Sequence, residues 1–463
     1  MNPVFWFRRD LRLYSNEALI DAINSGAKHA LFVVSTQQWS GHDMAAMQKD
    51  LLLRRVNYIG QALSEYGVTL HILEVPLFKD IPGELQKLCE QHSFSHVFAN
   101  REYEVNELER DKACANSGIN LVLYDGDVIA KPGTVTTKSG EMFKVFTPFK
   151  RAWLSQYECE QFTLPQWPLT EGAEPVNWQT PTCLKGDGSS HKWPVDDEAL
   201  SSIVTRFIHD KFAKYHDYRD FPAIKGTSGL SPYLALGIVS VKQLLVNVQS
   251  QYPDVLQSAK SNLFSWVNEL IWREFYRHLI CAFPNLCKHK NFNTKYDSLQ
   301  WQQDDHHFEA WCEGRTGYPL VDAAMRQLTQ TGWMHNRLRM VVASFLTKHL
   351  LIDWRRGEEF FMRHLIDGDL ASNNGGWQWA ASTGCDAQPY FRIFNPITQS
   401  ERFDPEGEFI RKFLPELENI PTKYIHFPHQ YLAATASKSY WPAIVDHKAA
   451  RERALARFKV TDE

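Results

Sequence analysis

VFWF, at residues 4–7, is a short run of four apolar residues, and similar runs recur at residues 30–34 (ALFVV), 69–75 (TLHILEV), 97–99 (VFA) and 121–124 (LVLY). Short apolar runs of this length read as strands. The intervals between them carry helical patterns. Asn16 is placed to cap a helix running through Ser25, and residues 47–66 hold apolar side chains at helical spacing until Gly67 stops them. Strand and helix in alternation predict a Rossmann-like parallel α/β sheet, whose ligands would sit beyond the carboxyl ends of the strands. No GxGxxG follows the first run, so the dinucleotide fingerprint is absent and this layer is not expected to hold the main cofactor.

Outward from that layer the pattern changes. From about residue 154 to 196 the chain is irregular and rich in Pro, Gly, Gln and Trp (LPQWPLTEGAEPVNWQTPTCLKGDGSSHKWP), which reads as a long interdomain connection. Beyond it, amphipathic segments at 263–283, 321–330 and 336–351 predict a mostly helical half, and residues 446–458 form a charged helical stretch near the end. The expected division is an α/β domain over 1–130, a connector over 131–196 and a helical domain over 197–463. No internal repeat and no low-complexity tail is visible.

At 463 residues the chain is too long for one core, and 44% hydrophobic with 22% charged residues excludes a disordered or small disulfide-stapled protein. Fifteen tryptophans exceed the needs of a core and point to stacking or electron transfer. A net charge of -4 means that any polyanion contact must come from a local patch. Such a patch is offered by Arg326, Arg337, Arg339 and Lys348, a stretch without Asp or Glu that could track phosphates, with Lys150 and Arg392 as weaker additions. Eight cysteines without a CxxC pair predict reduced thiols and no metal site. The absence of a signal-peptide pattern or long apolar span predicts a soluble, cytoplasmic protein.

DGDLASNNGGWQW, at residues 367–379, places Asp369, Asn373 and Trp377 four apart, with Asp367 just before them and Gly375-Gly376 permitting close backbone approach. Read alone, an Asp here would cap a helix and Trp377 would be core. Two further helix faces supply similar sets: Trp266, Glu269, Trp272, Arg273 and Tyr276, then Trp333, Asn336, Arg337 and Met340. Three such faces can wall one cavity.

The strings FRRDLR, KVFTPFKRAW, RDFPAIKGTSGLSPYLALG, WVNELIWREFYRHL, WMHNRLRMVVASFL, DWRRGEEFF and LIDGDLASNNGGWQWAASTG, spread over essentially the whole chain, resemble the photolyase/cryptochrome family. WREFYRHL with WMHNRLRM, and the short C-terminus, looks most like its bacterial class I cyclobutane pyrimidine dimer branch. The resemblance implies an α-helical FAD-binding domain. Its FAD contacts would be Tyr215, Thr227, Ser228, Leu230, Ser231, Trp266, Arg273, Asn336, Asp367, Asp369 and Asn373. Hydroxyls and free amides suit a diphosphate, although Gly229 stands where the family often carries a basic side chain, a charge Arg273 would replace. Asn373 matches the residue facing the flavin's reactive N5 edge.

For substrate, the resemblance implies UV-damaged DNA with a flipped pyrimidine dimer, stacked on Trp272 and Trp379 and contacted by Glu269, Asn336, Arg337 and Met340. Trp377, Trp354 and Trp301 match a chain of indoles carrying an electron from the surface to oxidised flavin. His42, Asn106, Glu107, Cys287 and Lys288 match an antenna site for 5,10-methenyltetrahydrofolate. A deazaflavin is the competing antenna, and acidic Glu107 favours the folate's pterin-like edge. Related plant receptors usually place an acid at the Asn373 position and animal ones a cysteine, so asparagine favours repair over photosensory signalling. A (6-4) photolyase would carry a histidine pair where only His335 stands, and a single-strand-preferring relative is the remaining alternative. A monomer is expected.

Overall fold

The protein is seen in a computed structural model that describes residues 2–168 and 174–459. Its contacts divide it into two compact units, Met1–Ala213 with Ser228–Cys287 and Ile366–Asp369, and Lys214–Thr227 with Lys288–Leu365 and Leu370–Glu463.

The first unit is built on a five-stranded parallel sheet. Its strands are β1 (Pro3–Phe7), β2 (His29–Val34), β3 (Thr69–Glu74), β4 (His96–Asn100) and β5 (Leu121–Tyr124), in the order β3-β2-β1-β4-β5. All five expected strands form, each within about a residue or two of the sequence reading. β1 is the central strand and every residue of it is buried, as an uninterrupted apolar run requires. Asn16 caps the helix Glu17–Asn24 by accepting from the Leu19 amide. Successive strands are added to one side of β1 and then, from β4 on, to the other, so the strand order reverses between β1 and β4, the switch point where open sheets take ligands. Here the crevice is filled by Arg8, Asp10, Asn100, Glu102, Asp127 and Arg277, leaving about 20 Å³, room for a water-sized group alone.

The connector is irregular but not loose. Asp50, on the helix Ala46–Glu65, accepts from the amides of Gly188 and Ser190 at 2.9 Å each and from the Ser190 hydroxyl at 2.5 Å. Trp178 packs so close to Gly60 that a methyl there would overlap its ring. Residues 169–173 of the connector lie outside the described residues. The unit boundary departs from the expected break at 196/197, because the helix Phe264–Ala282 packs with the sheet unit. Glu274 on that helix accepts from the Ile129 and Ala130 amides and, at 2.7 Å, from Trp153 Nε1, while His278 Nε2 meets the Ala130 oxygen at 2.9 Å.

The second unit is helical, with Pro319–Thr331, Asn336–Ser344, Trp354–His364, Leu370–Ala381 and His447–Lys459 among its helices. Its core holds Trp311, Trp354 and Trp377 at 2% exposure or less. The helix expected over 336–351 stops at Ser344 and widens into a π-turn, Phe345–His349, before Leu351 takes a left-handed φ of 52°. That turn buries Lys348, which corrects the expected phosphate-tracking stretch. The Lys348 ammonium donates to the Ala381 oxygen at 3.2 Å and the Ser382 hydroxyl at 2.9 Å and lies 3.4 Å from the Phe458 ring centroid. At 1% exposure it reaches no solvent-borne phosphate.

Candidate functional site

In the first unit, the acidic end of the DGD motif is held by an arginine that spacing did not single out. Arg277 Nη2 meets Asp369 Oδ2 at 2.8 Å and Nη1 meets Oδ1 at 3.4 Å. Its Nε donates to Asp127, whose other carboxylate oxygen takes Arg273 Nη2. Burial opposes charge on Arg277, but Asp127 and Asp369 outweigh it and raise its pKa. Burial likewise pushes Asp127 up, and Arg273 and Arg277 bring it below its ordinary value. Arg273 also donates to the Asp127 backbone oxygen at 2.7 Å and to Leu234 O at 3.3 Å. Both terminal nitrogens of Arg273 are therefore engaged by protein acceptors.

On the same helix Trp266 is buried against Phe207 at 5.0 Å, and Glu269 is half-buried. Trp272 stacks on Phe146 with ring centroids 3.6 Å apart and planes 10° from parallel, so one of its two faces is already covered. The Ser228 hydroxyl accepts from the Leu230 amide at 3.3 Å, and Gly229 between them has φ +70° with open space where a side chain would stand. That left-handed backbone is one that glycine adopts without strain.

Four of the five residues expected at an antenna site fall in this unit, and they include a tight polar group. His42 Nε2 faces two amide nitrogens, Gln38 Nε2 at 2.9 Å and Asn106 Nδ2 at 2.8 Å, so it acts as the acceptor and the ring's proton belongs on Nδ1. That Nδ1 lies 3.7 Å from Glu107 Oε1. Glu107 Oε2 is buried and has no hydrogen-bond partner among the described residues. Burial, with Glu104 and Glu102 beside it, pushes the Glu107 carboxyl up to about 8. Cys287 lies in the turn Pro284–Lys288, its thiol pushed up to about 11 by burial. Lys288 falls in the second unit, at the start of its segment Lys288–Leu365.

In the second unit, the helix Leu370–Ala381 carries Asn373, Trp377 and Trp379. Asn373 Nδ2 donates to Glu358 O at 3.0 Å, which fixes the amide and leaves its oxygen and second hydrogen available. Trp377 is 2% exposed, with Phe361 at 4.9 Å and Trp311 at 6.0 Å, both edge-on, and its Nε1 is buried without a partner among the described residues. Trp354, fully buried, donates to Asn291 Oδ1 at 2.9 Å. Trp301 is only half-buried, packs on the same core, and lies edge-on to Phe458 at 6.1 Å. The three indoles thus grade from fully buried to partly exposed.

Asn336 is exposed at the start of its helix, and Arg337 pairs with Asp220 at 2.8 Å over the Phe403 ring. Arg326 pairs with Glu416 at 2.8 Å. With Lys348 buried, two of the four cations in the expected positive stretch are thus already matched by acids. Met340 and Trp379 are half-buried, Arg392 is exposed, and Tyr215 is buried with Arg219 5.2 Å over its ring.

A family model described as FAD binding domain of DNA photolyase matches residues 266–460, and another described as DNA photolyase matches residues 3–169. The chain belongs to the DNA photolyase family. A deoxyribodipyrimidine photo-lyase of Escherichia coli K12 is 47% identical over 464 residues, covering 98% of each chain. The crystal structure of a class III photolyase from Agrobacterium tumefaciens matches with a TM-score of 0.84 at 36% identity, over 100% of this chain and 98% of that one. A cryptochrome from Synechocystis matches with a TM-score of 0.83 at 26% identity over 99% of both. Photolyase and cryptochrome thus share this fold, and side chains must separate them.

The cofactor of this photolyase-family chain is FAD, and its class is a lyase of DNA repair. The donor set fits such a group: Asp367 and Asp369 are carboxylates at 7% and 6% exposure, suited to N–H and ribose hydroxyl donors, and Ser228 and Ser231 bring hydroxyls beside the left-handed Gly229. Among the described residues no three His, Cys, Asp or Glu could hold a metal ion, and no helix is long and apolar enough to cross a membrane. Sequence spacing missed Asp127, Arg277, Asn291 and Glu358. Each acts through a partner distant in sequence, which periodicity does not report.

Proposed function

We propose that this chain repairs cyclobutane pyrimidine dimers in DNA under near-UV or blue light. The observation that carries the reading is Asn373, an amide held by Glu358 O where related receptors carry an acid or a cysteine. Reduced FAD, when bound, supplies the electron that opens the cyclobutane ring and recovers it afterwards, so no net oxidation or reduction takes place.

The chain's own residues bind, orient and insulate. Asp367, Asp369, Trp266, Asn336 and the hydroxyls of Tyr215, Thr227, Ser228 and Ser231, with Leu230 between them, hold the cofactor. Asn373, fixed through one amide hydrogen, offers a hydrogen bond at the N5 edge that favours the reduced state. Trp272, backed by Phe146, and Trp379 stack the extruded dimer, each base returning about 1 to 3 kcal/mol against an extrusion cost of a few kcal/mol. Glu269, Arg337 and Met340 line the same substrate, Glu269 by hydrogen-bonding its base edges. Trp377, Trp354 and Trp301 pass an electron inward when the cofactor is oxidised.

His42, Asn106, Glu107, Cys287 and Lys288 hold 5,10-methenyltetrahydrofolate, which supplies near-UV absorption. The buried, unpartnered Glu107 Oε2 is the acceptor that a pterin's N–H edge would satisfy.

The substrate assignment is tested by illuminating the reduced protein with oligonucleotides carrying either a cyclobutane dimer or a (6-4) photoproduct. Restoration of the first and not the second is expected. Restoration of the (6-4) lesion alone, or of neither, contradicts it.

A further inference from the structure

We propose that Arg277 is a positioning residue that keeps Asp369 ionised and correctly oriented, and that Asp127 fixes Arg277 in turn. The proposal rests on the reading of Asp369 as a flavin-edge contact.

The geometry is a relay across the first unit. Arg277, on the helix Phe264–Ala282, presents two nitrogens to the two oxygens of Asp369 at 2.8 and 3.4 Å. A forked contact sets the plane of a carboxylate as well as its charge, which a single ammonium could not do. The third nitrogen, Nε, is taken by Asp127, just beyond β5, and Asp127 also binds Arg273. Two arginines thus face two aspartates, and Arg277 and Asp369 are 5% and 6% exposed. The other titratable groups acting on this set include Arg9 and Glu104, which are paired with each other, Arg12 beside Asp127 and Arg273, Glu274 beside Arg273, Tyr103 beside Asp127 and Cys281 beside Arg277.

A buried carboxylate deprived of its cation takes up a proton instead of staying charged. Protonated Asp369 would present an O–H where a flavin's ring N–H needs an acceptor. Arg277 therefore acts on the cofactor through Asp369 without touching it, and the α/β layer contributes to the flavin's environment through Asp127.

The test compares FAD dissociation constants and flavin absorption spectra of the full-length protein and four variants, Asp369→Asn, Arg277→Gln, Arg277→Lys and Asp127→Asn, between about pH 6 and pH 9. Arg277→Gln is expected to weaken FAD by about tenfold or more at the low end, one pKa unit of lost charge being worth tenfold. The loss should shrink as pH rises and Asp369 ionises, while the wild type stays level. Arg277→Lys keeps the charge without the fork and should fall between the two, and Asp127→Asn should show a smaller loss of the same kind. FAD binding by Arg277→Gln equal to wild type overturns the proposal. So does a loss that is the same at every pH and equally large in Arg277→Lys, which would mark a purely structural role. If Asp369→Asn binds FAD unchanged, the flavin-edge reading falls and the proposal with it. If Asp369→Asn weakens FAD and Arg277→Gln does not, the relay alone falls.

Discussion

Asn373 Nδ2 donates to the backbone oxygen of Glu358 at 3.0 Å, so the helix Trp354–His364 sets the angle at which the amide on Leu370–Ala381 is presented. A carboxylate at this position cannot make that bond and would face the Glu358 oxygen with like polarity. Asn373→Asp is therefore expected to make the flavin's midpoint potential more negative, because an anion beside a reduced, anionic flavin destabilises it. The repair rate should fall by about ten- to a hundredfold, the equivalent of roughly 1 to 3 kcal/mol for a lost and unreplaced hydrogen bond at a partly buried site. Potentiometry and repair under constant illumination check the two halves separately.

Trp354 is the middle indole of the proposed electron path and the one fully enclosed. Trp354→Phe should slow photoreduction of oxidised FAD and leave repair by prereduced protein unchanged, as read by absorption under steady light. It should also cost stability of about 1 kcal/mol, since Asn291 Oδ1 loses its 2.9 Å donor. Unchanged photoreduction would remove the assignment.

Gly357 offers a test of the same path that removes no redox group. A methyl at this position would stand 2.2 Å from Trp377 Cη2 and 2.7 Å from Leu346 Cδ2, inside contact distance of both. Gly357→Ala should destabilise the protein by about 1 to 3 kcal/mol, the usual cost of overpacking a core, and slow photoreduction by displacing Trp377. Thermal melting and the photoreduction assay report the two effects.

Glu107 should show a cofactor-binding gain at a cost in stability. Its folded pKa, about 8, lies above the ordinary glutamate value because burial and neighbouring acids disfavour the anion. With a raised pKa on an acid, the unfolded chain releases its proton first, so the stability due to this group is present at low pH and is lost as pH rises toward about 8. Glu107→Gln should therefore melt higher than wild type at pH near 8, with an advantage that vanishes toward about pH 4. The same variant should lose the near-UV absorption of bound folate while keeping its FAD. An absorption spectrum after reconstitution with 5,10-methenyltetrahydrofolate reads this directly.

The sheet was legible because its strands are short apolar runs separated by helices, a pattern set by local burial. All five appear where their runs stand, and Asn16 caps its helix because its side chain reaches only the next turn. The helix over 336–351 was overextended because nothing in FLTKHLL announces a π-turn, and Lys348 reads as a surface cation until the Ala381 and Ser382 acceptors are folded around it. Arg277 escaped notice for the same reason: its partners Asp127 and Asp369 are 150 and 92 residues away. The compact units divide differently from the three sequence stretches because Glu274 and His278 tie a late helix to residues 129 and 130. Motif spacing reads one element at a time, whereas these contacts are made between elements.

The central claim is light-driven reversal of cyclobutane dimers, and it is tested most directly by a duplex oligonucleotide carrying one such dimer. Reduced protein should remove the dimer under near-UV or blue light, leave it untouched in the dark, and act on duplex as well as single-stranded substrate. A dimer that survives in the duplex while the single strand is repaired, or a reaction indifferent to light, would contradict the account.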